Sequence, residues 1–224
     1  GDGDRELFIS GPSNTTEGYS GRAYLIEGPI TAALDLSDAD ATLTDQQPGE
    51  SFAFIIDYAG DINNDGYGDV LTASPYDNYS NAGAAWLFEG PLSGDYTTRD
   101  AVASMEGSDF ELLGYDISGA GDMDGDGYDD LVIGAPFRFN NSDSGGAVWF
   151  FYGPVTGTLT DDSADAAFVG ATRASILGAA LTSAGDLTGD GLDDLVAGAP
   201  LEIHSGLNPG AAYVFSGPMS DVVN

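Results

Sequence analysis

The sequence predicts an all-β fold: four-stranded antiparallel blades stacked radially, about three and a half of them, forming part of a β-propeller. Two periodicities and the pattern of apolar runs predict it. A Gly-Pro, Ser-Pro or Ala-Pro element closes a strand-like run at Pro12, Pro75, Pro136 and Pro200, at spacings of 63, 61 and 64 residues. Independently, the Gly-Pro pairs ending at Pro29, Pro91, Pro154 and Pro218 recur at 62, 63 and 64 residues. Several runs in each period are apolar at consecutive positions, as a sheet buried on both faces requires. Convincing helical periodicity is absent from the chain.

Each period is expected to supply its strands in the same order. The first precedes an acidic loop, as in Phe52–Ile56 and Ile176–Leu181. The second follows that loop, at Asp69–Thr72 and Asp130–Gly134, and the third lies at Ala84–Phe88 and Ala147–Tyr152. Weaker fourth runs occupy Ala101–Met105 and Ala166–Val169. Gly, Pro, Asn, Asp and Ser fill the breaks. The chain reads as one segment with repeats near 1–47, 48–108, 109–172 and 173–224, the first lacking its first strand and the last its fourth. Unpaired edges are exposed at such ends, so further blades or another chain are expected there. A sandwich needs no such repeat, and a solenoid coil is usually shorter than about 50 residues.

The charge balance narrows the partners. Thirty-seven acidic residues face five arginines and no lysine, for a formal charge of −32. That field repels nucleic acid and anionic membrane surfaces and favours metal cations and saline surroundings. The absence of cysteine removes disulfides and thiolate chemistry, so another staple is needed for the loops. No apolar run approaches the roughly 18 residues of a membrane span, and Gly1-Asp2-Gly3-Asp4 does not resemble a signal peptide, which suits a mature product or an excised segment.

The expected staple is calcium. A nine-residue loop opens at the aspartate of a Gly-Asp pair in each full period, the richest being Asp122-Met123-Asp124-Gly125-Asp126-Gly127-Tyr128-Asp129-Asp130. Carboxylates at positions 1, 3, 5 and 9, with a turn-permitting glycine at 6, converge hard oxygen donors on one point, as calcium prefers. Without a cation these charges repel, by roughly 1 to 4 kcal/mol per pair about 4 Å apart. The second copy offers Asp61, Asn63, Asp65 and Asp69. The third offers Asp186, Thr188, Asp190 and Asp194, where the neutral hydroxyl at position 3 predicts the weakest site. A partial N-terminal loop would contribute Asp2, Asp4 and Glu6. An EF-hand is a poor match, because its position-12 glutamate is replaced by Thr72, Ile133 and Ala197.

Leu113-Gly114 through Gly134-Ala135-Pro136 and Leu177-Gly178 through Gly198-Ala199-Pro200, each enclosing an acidic loop, resemble the FG-GAP repeat of integrin α-subunit propellers. Phe52-Ala53 through Ser74-Pro75 departs from the pattern at its glycine, and the first repeat keeps only Gly11-Pro12. The resemblance implies calcium in hairpin loops on one face, with backbone carbonyls at position 7 from Tyr67, Tyr128 and Leu192. It also implies ligand contacts by longer loops on the other face, and a ring with more blades than this chain encodes.

The expected role follows from the loops and the resemblance together: a calcium-binding extracellular adhesion or protein-binding scaffold, secreted or on the cell surface, and not an enzyme. The alternative is a carbohydrate-binding or carbohydrate-processing propeller. The only histidine, His204, reads as a surface residue, and no nucleophile elbow is present. The loops after the Pro12-type markers vary in sequence over a constant scaffold, where protein or glycan specificity would reside. Asn14, Asn78 and Asn140 each head an Asn-x-Ser/Thr sequon in equivalent loops.

Overall fold

The computed structural model describes residues 6–11, 21–45, 51–77, 80–140, 143–170, 175–203, 209–219 and 222–223. Asp2, Asp4, His204 and the sequon asparagines Asn14 and Asn78 lie outside them.

The described residues form an all-β fold of four blade-like sheets. The first holds β1 (Leu7–Gly11), β2 (Arg22–Ile26) and β3 (Ala41–Thr44). The second holds β4 (Ile55–Gly60), β5 (Asp69–Ser74), β6 (Ala84–Phe88) and β8 (Ala103–Glu106), with β7 (Gly94–Thr97) leaving it between β6 and β8. The third holds β9 (Ile117–Gly121), β10 (Asp130–Ala135), β13 (Ala147–Phe151) and β15 (Ala166–Val169), with the small hairpin β11 (Phe139–Asn140) and β12 (Asp143–Ser144) and the outlying β14 (Gly157–Leu159). The fourth holds β16 (Ala180–Gly185), β17 (Asp194–Ala199) and β18 (Ala211–Ser216), and β19 (Val222–Val223) follows it. Neighbours within a blade run antiparallel, as in Val132 opposite Phe150 and Phe150 opposite Ala166.

Consecutive apolar residues pack because the two faces of a strand feed different cores. In β10, Leu131 and Ile133 join Leu71, Leu87 and Met105 of the second blade, while Val132 joins Leu195 and Phe215 of the fourth. Every residue of β5, β10 and β13 is buried. The side chain of Phe150 is fully covered and meets Phe215 edge-on at 5.4 Å. Deleting a ring so placed costs about 3–5 kcal/mol.

The first strand of each blade begins later than the sequence suggests: β4 starts at Ile55 and not Phe52, and β16 at Ala180 and not Ile176. Ala53 (φ 54°) and Gly178 (φ 85°) are in the left-handed region, so these residues form the turn that enters the strand. Ladder pairing then runs to the mouth of the acidic loop, where a bulge recurs between Tyr58 and Gly60, between Asp130 and Leu131, and between Ser183 and Gly185.

Each blade also lends a strand to the one before it. β7 adds in parallel to β3, β14 to β8, and β19 to β15. The lent strands follow the Gly-Pro pairs, whose peptide bonds are cis at all four positions. The residue after the proline packs into the seam in the middle blades, where Leu92 and Val155 are 3% and 5% exposed. Its counterpart in the first blade, Ile30, is 44% exposed, because no preceding blade lies against it among the described residues.

Candidate metal centre

The first-to-second-strand hairpins carry the acidic loops, and the antiparallel order sends the variable second-to-third-strand loops to the opposite end of each blade. At all three loops the position-6 glycine has φ near 90°: Gly66 at 90°, Gly127 at 92° and Gly191 at 92°. Residues with a Cβ rarely hold that conformation, so glycine is required for the turn that aims the carboxylates inward.

The position-1 aspartate is the hub. In loop 122–130, Asp122 accepts from the backbone N–H groups of Gly125 (2.6 Å), Asp126 (3.1 Å) and Gly127 (3.0 Å). In loop 61–69, Asp61 accepts from Asp65 and Gly66, each at 2.9 Å. In loop 186–194, Asp186 accepts from Gly189 (2.6 Å) and Gly191 (3.1 Å). The position-5 carboxylate turns back to the position-7 N–H in each copy: Asp65 to Tyr67, Asp126 to Tyr128 and Asp190 to Leu192. Asn63 and Asp124 at position 3 accept from the N–H of Asp65 and Asp126, both at 3.0 Å.

The position-9 aspartates are buried where the second strand begins. Asp130 accepts from Met123 N–H (2.7 Å) and Gly153 N–H (2.9 Å), and Asp69 from Ile62 N–H and Gly90 N–H, both at 2.8 Å. Burial nevertheless pushes Asp130 up to about 7 and Asp69 up to about 6, against the pull of those N–H groups. Neighbouring carboxylates, Asp124 and Asp122 for the first and Asp65 and Glu89 for the second, add to the rise. Burial also raises Asp124. Groups held above their ordinary range by burial and mutual repulsion are relieved by a bound cation.

Two observations fit these residues to a hard divalent cation. Oxygens of Asp122, Asp124 and Asp130 lie within 4.8 Å of one another, the one such acidic group found among the described residues. In loop 186–194, Asp194 Oδ1 is buried with no hydrogen-bond partner, a costly state for an anionic oxygen unless something positive faces it.

The loops are not equivalent. In the third, Thr188 N–H, and not that of position 2, reaches Asp194 Oδ2 at 2.8 Å, and Leu187 N–H bonds Gly185 O instead. Position 2 is buried as Ile62 (1%) and Met123 (0%) but 58% exposed as Leu187. Of the partial N-terminal loop, Glu6 is exposed just ahead of β1.

Two residues in the loops carry a role that the ligand pattern does not reveal. Asp129 and Asp193, at position 8, bond the backbone of the preceding blade's loop: Asp61 N–H reaches Asp129 Oδ2 at 2.7 Å, and Asp122 N–H reaches Asp193 Oδ2 at 3.1 Å. The available signal was an aspartate at position 8 in two loops, against Gly68 in the other.

Repeated antiparallel blades, three of them with an acidic loop on the first-to-second-strand hairpin, define a β-propeller segment with metal-binding potential at one end. The family model of the FG-GAP repeat matches residues 58–88, 113–151 and 178–215. These three segments are FG-GAP repeats, and the chain is similar over them to integrin alpha subunits. Integrin alpha-IIb of Mus musculus is 31% identical over 141 residues, covering 60% of this chain and 14% of the relative. Integrin alpha-3 of Cricetulus griseus is 26% identical over 185 residues, covering 82% of this chain and 17% of the relative. Integrin alpha-PS2 of Drosophila melanogaster is 32% identical over 147 residues, covering 60% and 10%. The chain thus spans less than a fifth of the length of these relatives.

Proposed function

We propose that this chain is a calcium-stapled, non-enzymatic binding module of an extracellular, integrin-like adhesion or scaffold protein. The convergence of Asp122, Asp124 and Asp130 oxygens carries the calcium reading. Asp122, Asp124, Asp126 and Asp130 would hold the ion in the second loop, with the Tyr128 carbonyl. Asp61, Asn63, Asp65 and Asp69 with the Tyr67 carbonyl would do so in the first, and Asp186, Thr188, Asp190 and Asp194 with the Leu192 carbonyl in the third. Bound calcium supplies positive charge that offsets carboxylate repulsion and fixes each hairpin, while the chain's own N–H groups orient the ligands.

The binding reading is supported by what the other end exposes. Phe54 (42%), Tyr76 (40%), Phe110 (60%) and Phe137 (39%) project from loops at the end opposite the acidic hairpins. Phe54 and Tyr76 meet edge-on at 5.3 Å. Exposed aromatics grouped on loops over a rigid scaffold suit a protein partner, and a glycan could use the same rings. Among the described residues no helix is long and apolar enough to cross a membrane.

Thermal unfolding of the chain with calcium and with excess chelator tests the staple. Chelation is expected to lower Tm by several degrees or more, because anything that binds only the folded state stabilises it. An unchanged Tm would remove the structural role of calcium.

A further inference from the structure

We infer that Asp129 and Asp193 are positioning residues through which each blade completes the metal loop of the blade before it, so that neighbouring calcium sites are coupled. The inference rests on the calcium reading above and extends it from separate loops to a linked series.

The geometry is a reciprocal clamp, present in register at two seams. Asp61 donates its N–H to Asp129 Oδ2 (2.7 Å), and Asp129 returns its own N–H to Asp61 O (3.2 Å). Asp122 donates to Asp193 Oδ2 (3.1 Å), and Asp193 N–H returns to Asp122 O (3.1 Å). Both backbone groups of the position-1 residue are therefore held by the next blade. That residue's carboxylate is the hub onto which its own loop folds, so the clamp sets the hub.

The glycine before each hub shows how closely the clamp fits. A Cβ on Gly60 would meet Asp129 Oδ2 at 2.3 Å, and one on Gly121 would meet Asp193 Oδ2 at 2.0 Å. Gly185 precedes the third hub, and there the nearest atom to such a Cβ is Asp193 Oδ1 of its own loop, at 4.0 Å. No following blade closes on that site among the described residues. The Gly-Asp that opens every loop is explained at the first two seams as the space a neighbouring carboxylate needs.

Coupling follows from the position of the clamp between ligands. Asp129 lies between Tyr128 and Asp130, and Asp193 between Leu192 and Asp194. An ion that orders positions 7 and 9 of one loop orders the clamp residue between them, and through it the hub of the preceding loop. The coupling is reciprocal: an ion in either loop of a seam favours an ion in the other.

The test is hydrogen exchange of the full chain, read by mass spectrometry on peptides covering 61–69, 122–130 and 186–194 over a titration with calcium alone. D129A is expected to raise the calcium midpoint of loop 61–69 by about tenfold, the scale of a hydrogen bond to a charged acceptor. D193A should do the same to loop 122–130. D129N keeps an acceptor oxygen and is expected to shift loop 61–69 by only about threefold or less. Peptides from β10 and β13 must keep wild-type protection, which separates a lost clamp from a lost fold. If D129A moved only its own loop, or if D129A and D129N behaved alike at loop 61–69, the clamp would have no positioning role while the calcium reading stood. Exchange independent of calcium in all three wild-type loops would overturn both.

Discussion

Loops 122–130 and 186–194 have nearly the same sequence and different surroundings. The interior loop buries Met123 beneath the fourth blade, has both backbone groups of Asp122 clamped by Asp193, and satisfies both oxygens of Asp130. The terminal loop exposes Leu187, leaves Asp194 Oδ1 buried and unpaired, and turns at position 3 and not position 2. A motif thus supplies the carboxylates, and the next blade supplies the burial and hydrogen bonds around them. The sequence alone ranks the third site weakest because of Thr188; the structure adds that this loop has no covering blade among the described residues.

The strongest way to make the interior loop resemble the terminal one is to loosen the fourth blade. Phe150→Ala, which removes a ring packed on Phe215, is expected to cost about 3–5 kcal/mol in urea unfolding and to weaken calcium binding at loop 122–130. A matched pair at position 2 sharpens the contrast: Met123→Ala should cost about 2–5 kcal/mol, and Leu187→Ala less than about 0.5 kcal/mol. Equal losses would mean that burial by the next blade does not distinguish the loops.

Position 9 gives loops 122–130 and 61–69 a pH response. Asp130 and Asp69 are raised to about 7 and about 6 from an ordinary 3.8. Between those values the folded chain binds more protons than the unfolded one, so stability falls as pH rises. With chelator present, denaturation midpoints should decline from about pH 4 to pH 7, and calcium should flatten the decline. A midpoint that rises over that range without calcium would reverse the sign. The smallest expected effect is at the terminal loop, where Thr188→Asp adds a carboxylate ligand. It should tighten calcium by a few-fold in calorimetry, since affinity follows ligand charge, yet leave the site weaker than loop 122–130.

The N-terminal edge mirrors this asymmetry. Ile30, Leu34 and Leu36 are each 44–45% exposed, whereas Leu92, at the position equivalent to Ile30, is 3% exposed. The same apolar signal was written into each repeat, and its burial depends on a neighbour.

Much of the fold was legible in the residues. β5, β10 and β13 stand where consecutive apolar runs placed them, because a strand between two cores needs apolar residues on both faces. The acidic hairpin loops were legible because carboxylate spacing and the position-6 glycine are local requirements. The first strands were placed too early because Phe52 is apolar but buried in a turn and Leu177 in an isolated bridge to Gly146, and burial outside a continuous strand looks the same in sequence. The lent strands β7 and β14 left no trace, since parallel addition at an edge uses backbone groups that every residue has.

The sequence by itself determined the period, the strands flanking two cores and the acidic hairpin loops, because each depends on side-chain type at a fixed local spacing. Tertiary structure alone decided which loop is clamped, which position-2 side chain is covered and which blade lends a strand to another. Those properties belong to pairs of repeats about 60 residues apart, and local pattern carries no information about what lies across a seam.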